Sequence, residues 1–124
     1  MSELNLTVLL DKRVLFVDDD ETTREVMNST LSRRFKEVYL AKNGKEGFEV
    51  FEAQKPDIVI TDIEMPVMNG LKLLEKIKEI EPTKPVVVVT AFSDEAHKAS
   101  KADAIIIKPV NRNNLFTALV DMCE

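Results

Sequence analysis

Five short apolar runs set the limits on what this chain can fold into. They are Arg13-Val14-Leu15-Phe16-Val17, Glu37-Val38-Tyr39-Leu40-Ala41, Ile58-Val59-Ile60-Thr61, Val86-Val87-Val88-Val89-Thr90 and Ala104-Ile105-Ile106-Ile107. Four of them are nearly unbroken in Val, Ile, Leu and Phe. Strands buried on both faces have that composition, which implies a parallel sheet with helices on either side. The second run alternates with polar residues, as an edge strand would.

Helix signals fill the gaps between the runs. Thr22 and Glu25 stand at capping-box spacing, and Val26, Met27, Thr30, Leu31 and Phe35 follow as a mostly apolar stripe. Phe48 and Phe51, with Gly44 and Gly47 one turn back, give a second helix. Leu71, Leu73, Leu74, Ile77 and Ile80 after Gly70 give a third. Asp94 to Lys101 is a shorter candidate, and Asn111 caps a last helix that turns Leu115, Ala118, Leu119 and Met122 inward. Pro56, Pro82, Pro85 and Pro109 punctuate the joints. The pattern is a repeated strand–helix alternation, an α/β doubly wound domain.

Residues 1–11 read as an N-terminal extension to a domain over 12–124. Leu4, Leu6, Val8, Leu9 and Leu10 are too apolar for a free tail. Packing on the domain is the simpler expectation; a self-association or partner surface is the alternative.

Composition narrows the function classes. A length of 124 residues suits one domain, and 44% hydrophobic content is enough for a core. With 22 acidic against 17 basic side chains the net charge is -5, which argues against direct nucleic-acid binding by broad phosphate neutralisation. A single cysteine, Cys123, excludes an internal disulfide. No apolar run approaches the roughly 20 residues of a membrane span. Met1 to Leu10 lacks the basic residue of a secretory signal. These features point to a cytoplasmic protein without membrane association.

In an open parallel sheet, ligands bind beyond the carboxyl ends of the strands. Here the first strand runs into Asp18-Asp19-Asp20-Glu21 and the third into Thr61-Asp62. The fourth ends in Thr90-Ala91 and the fifth in Lys108-Pro109. Several carboxylates, a hydroxyl and an ammonium thus reach one rim. Crowded carboxylates repel one another unless a cation joins them, and a few hard oxygen ligands suit Mg²⁺. A carboxylate beside such a cation can attack a phosphoryl group and form an acyl phosphate. The metal and a lysine neutralise the phosphoryl oxygens, and a threonine hydroxyl can hydrogen-bond them. Each feature alone has a plainer explanation: a solvated acidic loop, a turn cap, a strand end, a surface lysine. Their convergence on one rim favours a site.

On these residues the sequence resembles the receiver domain of two-component response regulators, from about Lys12 to Met122. The resemblance lies in Val14-Leu15-Phe16-Val17-Asp18-Asp19-Asp20, Pro56 to Gly70 around Thr61-Asp62, Val88-Val89-Thr90-Ala91 and Lys108-Pro109, in that order. It implies a flavodoxin-like five-stranded sheet of order 2-1-3-4-5. It implies Asp62 as phosphoacceptor, Thr90 as the switching hydroxyl and Lys108 as the phosphoryl partner. Mg²⁺ would be bound by Asp19, Asp62 and the backbone carbonyl of Glu64, with Asp18 orienting the metal shell. Lys108-Pro109 would be cis, and Gly70 would supply a backbone conformation that other residues resist. Glu64 and Phe92 would tune hydrolysis of the acyl phosphate. The donor would be a sensor histidine kinase or histidine phosphotransferase, and the output a protein-interaction surface toward an unknown target.

Three departures from that family stand out. Ile105 replaces the usual aromatic residue, and it is expected to stay largely buried in both states. The stretch from Thr90 to Lys108 is about one helical turn short, so the family's fourth helix, over Asp94 to Lys101, should be stunted. Lys101-Ala102-Asp103 stands where a glycine is common. Two alternatives compete with the signalling reading. One is a Mg²⁺-dependent aspartyl-phosphate phosphohydrolase, for which Glu64 is suggestive but a cap insertion is lacking. The other is a receiver-like module not controlled by phosphorylation. His97 reads as a surface residue. The chain ends soon after its last helix, which leaves both a stand-alone regulator acting by protein contact and the front piece of a longer protein open.

Overall fold

Each apolar run forms a strand in the computed structural model, which describes residues 4–93 and 98–123. The strands are β1 (Arg13–Val17), β2 (Glu37–Ala41), β3 (Ile58–Asp62), β4 (Val86–Thr90) and β5 (Ala104–Ile107). All pair in parallel, in the order β2-β1-β3-β4-β5. β3 and β4 are buried at every position and β1 at every position after Arg13, as continuous apolar runs require. β2 lies at one edge, and only Ala41 in it is fully buried.

Four helices surround the sheet among the described residues: α1 (Glu21–Ser32), α2 (Gly44–Gln54), α3 (Gly70–Ile80) and α4 (Arg112–Cys123). Because successive strand side chains alternate faces, the apolar runs serve two cores. On one face Val14, Phe16, Ile58, Ile60, Val87 and Val89 pack with Leu31, Phe35, Leu115 and Leu119 from the α1 and α4 side. On the other, Leu15, Val17, Val59, Val86 and Val88 pack with Phe51, Leu73, Leu74 and Ile77 from α2 and α3.

The helix starts show how a polar side chain satisfies an orphan N–H. Asn43, Asn69 and Asn111 accept from the amides of Glu46, Lys72 and Asn114 at 2.8, 2.9 and 3.1 Å. At α1 the expected capping box does not form. The cap is Asp20, whose carboxylate accepts both the amide and the hydroxyl of Thr23 at 2.8 and 2.6 Å. An ionised acceptor makes the stronger bond, and it moves the helix start ahead of Thr22. The α1 stripe is also narrower than expected, since Val26 is 58% exposed. It lines an apolar groove of about 310 Å³ with Met27, Val110 and Leu115 that opens beside Asp18 and Lys108.

The apolar segment before β1 is tied down. Leu6–Leu9 form a 3₁₀ turn against α4; Leu9 is fully buried, and Leu6 and Val8 pack on the same core. Leu4 and Leu10 remain exposed.

Ile105 departs from expectation. It is 37% exposed and Ile107 44%, while Ala104 and Ile106 turn toward the α4 core. β5 is an edge strand, and its Ile105 face belongs to the side that the shortened β4–β5 connection has to cover. Lys98 to Lys101 form turns there, with only Ala99 buried. Of the short helix expected over 94–101, residues 94–97, His97 included, lie outside the described residues, and residues 98–101 form turns rather than helix.

The loop after β3 also corrects an expectation about glycine. No glycine has a positive φ. Gly70 is required by closeness instead: a Cβ there would collide with the carbonyl of Asp62, and its amide donates to Ile63 O at 2.8 Å. The left-handed conformation falls to Val67 (φ 69°), a β-branched residue that is 76% exposed. Such a conformation costs an L-residue about 1–2 kcal/mol.

Two outcomes follow for denaturant unfolding. Leu9→Ala lowers stability by about 2–5 kcal/mol, the range for an emptied core leucine, although Leu9 lies outside the sheet and its main helices. Val67→Asn raises it by roughly 1 kcal/mol, because Asn tolerates the left-handed region and the lost side chain was largely in water.

Candidate functional site

The strand register builds the site. Val17 pairs with Thr61, so the next residues, Asp18 and Asp62, leave β1 and β3 side by side. Asp62 pairs with Val89, which brings Thr90 to the same rim; Thr90 pairs with Ile107, which brings Lys108. Asp18 donates its amide to Ala41 O at 3.1 Å and Lys108 donates its own to Thr90 O at 2.8 Å, so both still belong to the ladder. These side chains are therefore placed by backbone pairing rather than by free loops.

One carboxylate oxygen each from Asp18, Asp19 and Asp62 lies within 4.8 Å of the others. Asp18 and Asp62 are buried; Asp19 is exposed and closes the cluster from the solvent side. Lys108 Nζ stands 3.1 Å from Asp62 Oδ2 and 3.9 Å from Asp18 Oδ2. Asp62 Oδ1 accepts the Ile63 amide at 2.8 Å. Asp18 Oδ1 accepts the Asp20 amide at 2.9 Å, which folds the acidic loop back on itself.

The charges respond to this crowding. Burial, helped by the neighbouring Asp62 and Asp19 charges, holds the Asp18 carboxyl above the ordinary aspartate range despite the Asp20 amide and Lys108. Burial pulls Lys108 down, but its bond to Asp62 and the Asp62, Asp18 and Asp19 charges outweigh that and raise it. Asp20 goes the other way: the Thr23 hydroxyl and amide hold it low, in keeping with its capping role.

Thr90 stands at the rim with its hydroxyl engaged elsewhere. Its hydroxyl donates to Glu64 Oε1 at 3.3 Å and accepts the Phe92 amide at 3.1 Å. The Glu64 side chain is exposed and turned toward Thr90, and Phe92 is 57% exposed. The Lys108-Pro109 peptide is cis, as the resemblance implied.

The structure thus brings together Asp18, Asp19, Asp62 and Lys108, with Thr90 and Glu64 adjoining them. One contributor was missed from sequence. Arg24, in the first turn of α1, donates through Nη1 to the backbone carbonyl of Asp18 at 2.8 Å. The available signal was a cation where the helix dipole disfavours one, directly after an acidic run.

Chemically the donor set is all hard oxygen, partly buried, with one flank open to solvent. That fits a divalent cation such as Mg²⁺, which takes few protein ligands and keeps several waters. No helix among the described residues is long and apolar enough to cross a membrane.

Comparisons with known proteins agree with this geometry. Residues 14–120 match the family described as response regulator receiver domain. The chemotaxis protein CheY of Thermotoga maritima is 36% identical over 115 residues, covering 89% of this chain and 96% of that protein. The Regulator of RpoS of Escherichia coli is 34% identical over 119 residues. That alignment covers 93% of this chain but 35% of the relative, so the chain spans about a third of that protein's length. The crystal structure of the response regulator TrrA of Thermotoga maritima, in complex with Mg²⁺-BeF, superimposes with a TM-score of 0.84 at 30% identity. It covers 90% of this chain and 98% of that one. A match along nearly the whole sheet, carried by the same order of strands that gathers the acidic rim, means that the chain belongs to the response regulator receiver domain family, whose standard role is phosphorylation-dependent signalling.

Proposed function

We propose that this receiver takes a phosphoryl group on Asp62 from the phosphohistidine of a sensor histidine kinase or histidine phosphotransferase, and that the change alters a protein-binding surface. The observation that carries the reading is the contact of Lys108 with Asp62 inside a cluster of three carboxylates. An Asp62 oxygen attacks phosphorus, the phosphorus–nitrogen bond to the donor histidine breaks, and an acyl phosphate remains. Lys108 neutralises the phosphoryl oxygens as it now neutralises Asp62. The Thr90 hydroxyl donates its hydrogen bond to the phosphoryl group instead of to Glu64. That exchange shifts an existing equilibrium rather than creating a new state.

Asp18, Asp19, Asp62 and the backbone carbonyl of Glu64 would hold Mg²⁺. When bound, the ion offsets the charge of the carboxylates and of the incoming phosphoryl oxygens. TrrA, with Mg²⁺-BeF in its structure, supports the same chemistry here. The protein catalyses its own labelling and hydrolysis and turns over no other substrate. Glu64 and Phe92 flank the site and set how readily water reaches the acyl phosphate. The chain divides into an extension over 1–11, of which Leu6–Leu9 pack against α4, and a receiver domain over 12–124, and the protein works in the cytoplasm.

A heteronuclear NMR titration with Mg²⁺ and beryllofluoride checks the assignment. Amide shifts are expected around Asp62, Thr90 and Lys108 in the wild type and not in Asp62→Asn. An equal response in the variant, or none in the wild type, refutes it.

The raised Asp18 carboxyl gives a stability test. Folding disfavours its charged form, so the wild type gives up stability as pH rises through the acid range. Asp18→Asn keeps an acceptor for the Asp20 amide and removes the charge. In EDTA at neutral pH its thermal midpoint should lie above the wild type. The advantage disappears below the ordinary aspartate range, where the wild-type group is protonated in both states. Saturating Mg²⁺ removes it too, because only the wild type gains from binding.

A further inference from the structure

We propose that Arg24 is a positioning residue for the acidic cluster: it fixes the turn from β1 into α1 so that Asp18 and Asp19 meet Asp62, without itself bonding a carboxylate oxygen. This inference rests on the metal-dependent phosphoacceptor reading above.

Its basis is what Arg24 does not bind. The guanidinium lies next to an acidic run and could pair with Asp19 or Asp20. It instead donates Nη1–H to the main-chain carbonyl of Asp18, 2.8 Å away and partly buried. Arg24 is half-buried; its own amide donates to Asp20 O at 3.0 Å as the first intrahelical bond of α1, so what the arginine side chain adds is the bond to Asp18 O. Within the loop the Asp20 amide closes on Asp18 Oδ1 at 2.9 Å. The outcome is a short loop pinned from β1, from α1 and from within.

The placement runs against helix electrostatics. A cation in the first turn faces the positive end of the helix dipole, a position that favours acids. It would also repel a divalent ion in the adjoining cluster. An arginine serving only as a nearby charge would therefore weaken metal binding. One serving as a clamp on the Asp18 carbonyl strengthens it by holding the ligand oxygens in place, as outer partners of metal ligands do. The two roles predict opposite signs.

Isothermal titration of the full chain with Mg²⁺ separates them, without any phosphodonor. Arg24→Gln removes the charge and cannot span the same distance with a forked donor. Its Mg²⁺ affinity should fall roughly tenfold, the lower end of the range seen when an outer-shell partner is lost. Arg24→Lys keeps the charge with a single-point donor and should fall between the two. Hydrogen exchange of the Asp20 amide should quicken in both variants, with thermal midpoints recorded alongside. An Arg24→Gln affinity equal to or tighter than wild type overturns the inference. If that variant does not fold, Arg24→Lys decides, and an affinity equal to wild type overturns it. Asp19→Asn serves as the control. Wild-type binding that is absent, or unchanged in Asp19→Asn, sinks the metal reading itself, whereas binding lost in Asp19→Asn but intact in Arg24→Gln sinks only the role of Arg24.

Discussion

The parallel register of β1 against β3 is the constraint on which the site depends. Val17 opposite Thr61 sets Asp18 beside Asp62, at the strand spacing of about 4.8 Å. Two unit charges about 4 Å apart interact by ~4 kcal/mol at the effective dielectric of a protein surface. The fold therefore builds in a repulsion that apolar burial must outweigh. It does so with Val14 to Val17 and Ile58 to Ile60, buried on both faces of the central strands. A slip of one residue would exchange the two cores and also part the carboxylates, so packing and chemistry select the same register.

Lys108 is the resident answer to that repulsion. It reaches the cluster from β5, two strands away from β3, and it contacts both buried aspartates. A fixed cation lets the carboxylates remain close before any metal or phosphoryl group arrives. It also leaves them incompletely neutralised, since one ammonium faces three carboxylates. Burial still holds Asp18 above its ordinary range. The residual imbalance is what a further cation bound by this all-oxygen cluster would offset. A perfectly compensated pocket would be more stable and less useful.

The strands and the rim were legible because both follow from short sequence windows. Apolar runs of Val and Ile announce buried strands, and whatever follows each run lands on one rim. Details that depend on competition between neighbouring groups were not legible. Thr22 and Asp20 both suit a helix cap, and only the reach of the carboxylate to two Thr23 donors decides between them. Gly70 reads as a conformational glycine, but its constraint is the nearby Asp62 carbonyl, a contact with no local sequence signature. Ile105 reads as core from its composition. Its exposure follows from an edge position next to a short connection, and neither can be seen from the residue itself.

Thr90 shows how small the energy separating two arrangements of such a site can be. A hydroxyl has one proton, and here it is committed to Glu64, while a lone pair takes the Phe92 amide. On the proposed reading, a phosphoryl group on Asp62 would take that hydrogen bond in place of Glu64. The Glu64 bond is long at 3.3 Å, and its carboxylate stands in water, so the bond given up is weak. A phosphoryl oxygen bonded inside the cluster would be a charge-assisted acceptor in a drier place, and so a stronger one. The resting contact is thus strong enough to define a position for Thr90 and too weak to hold it against the chemistry of its neighbour. Thr90 pairs with Ile107, whose exposed side chain lies with that of Ile105 on β5, so the hydroxyl sits one strand away from that exposed edge.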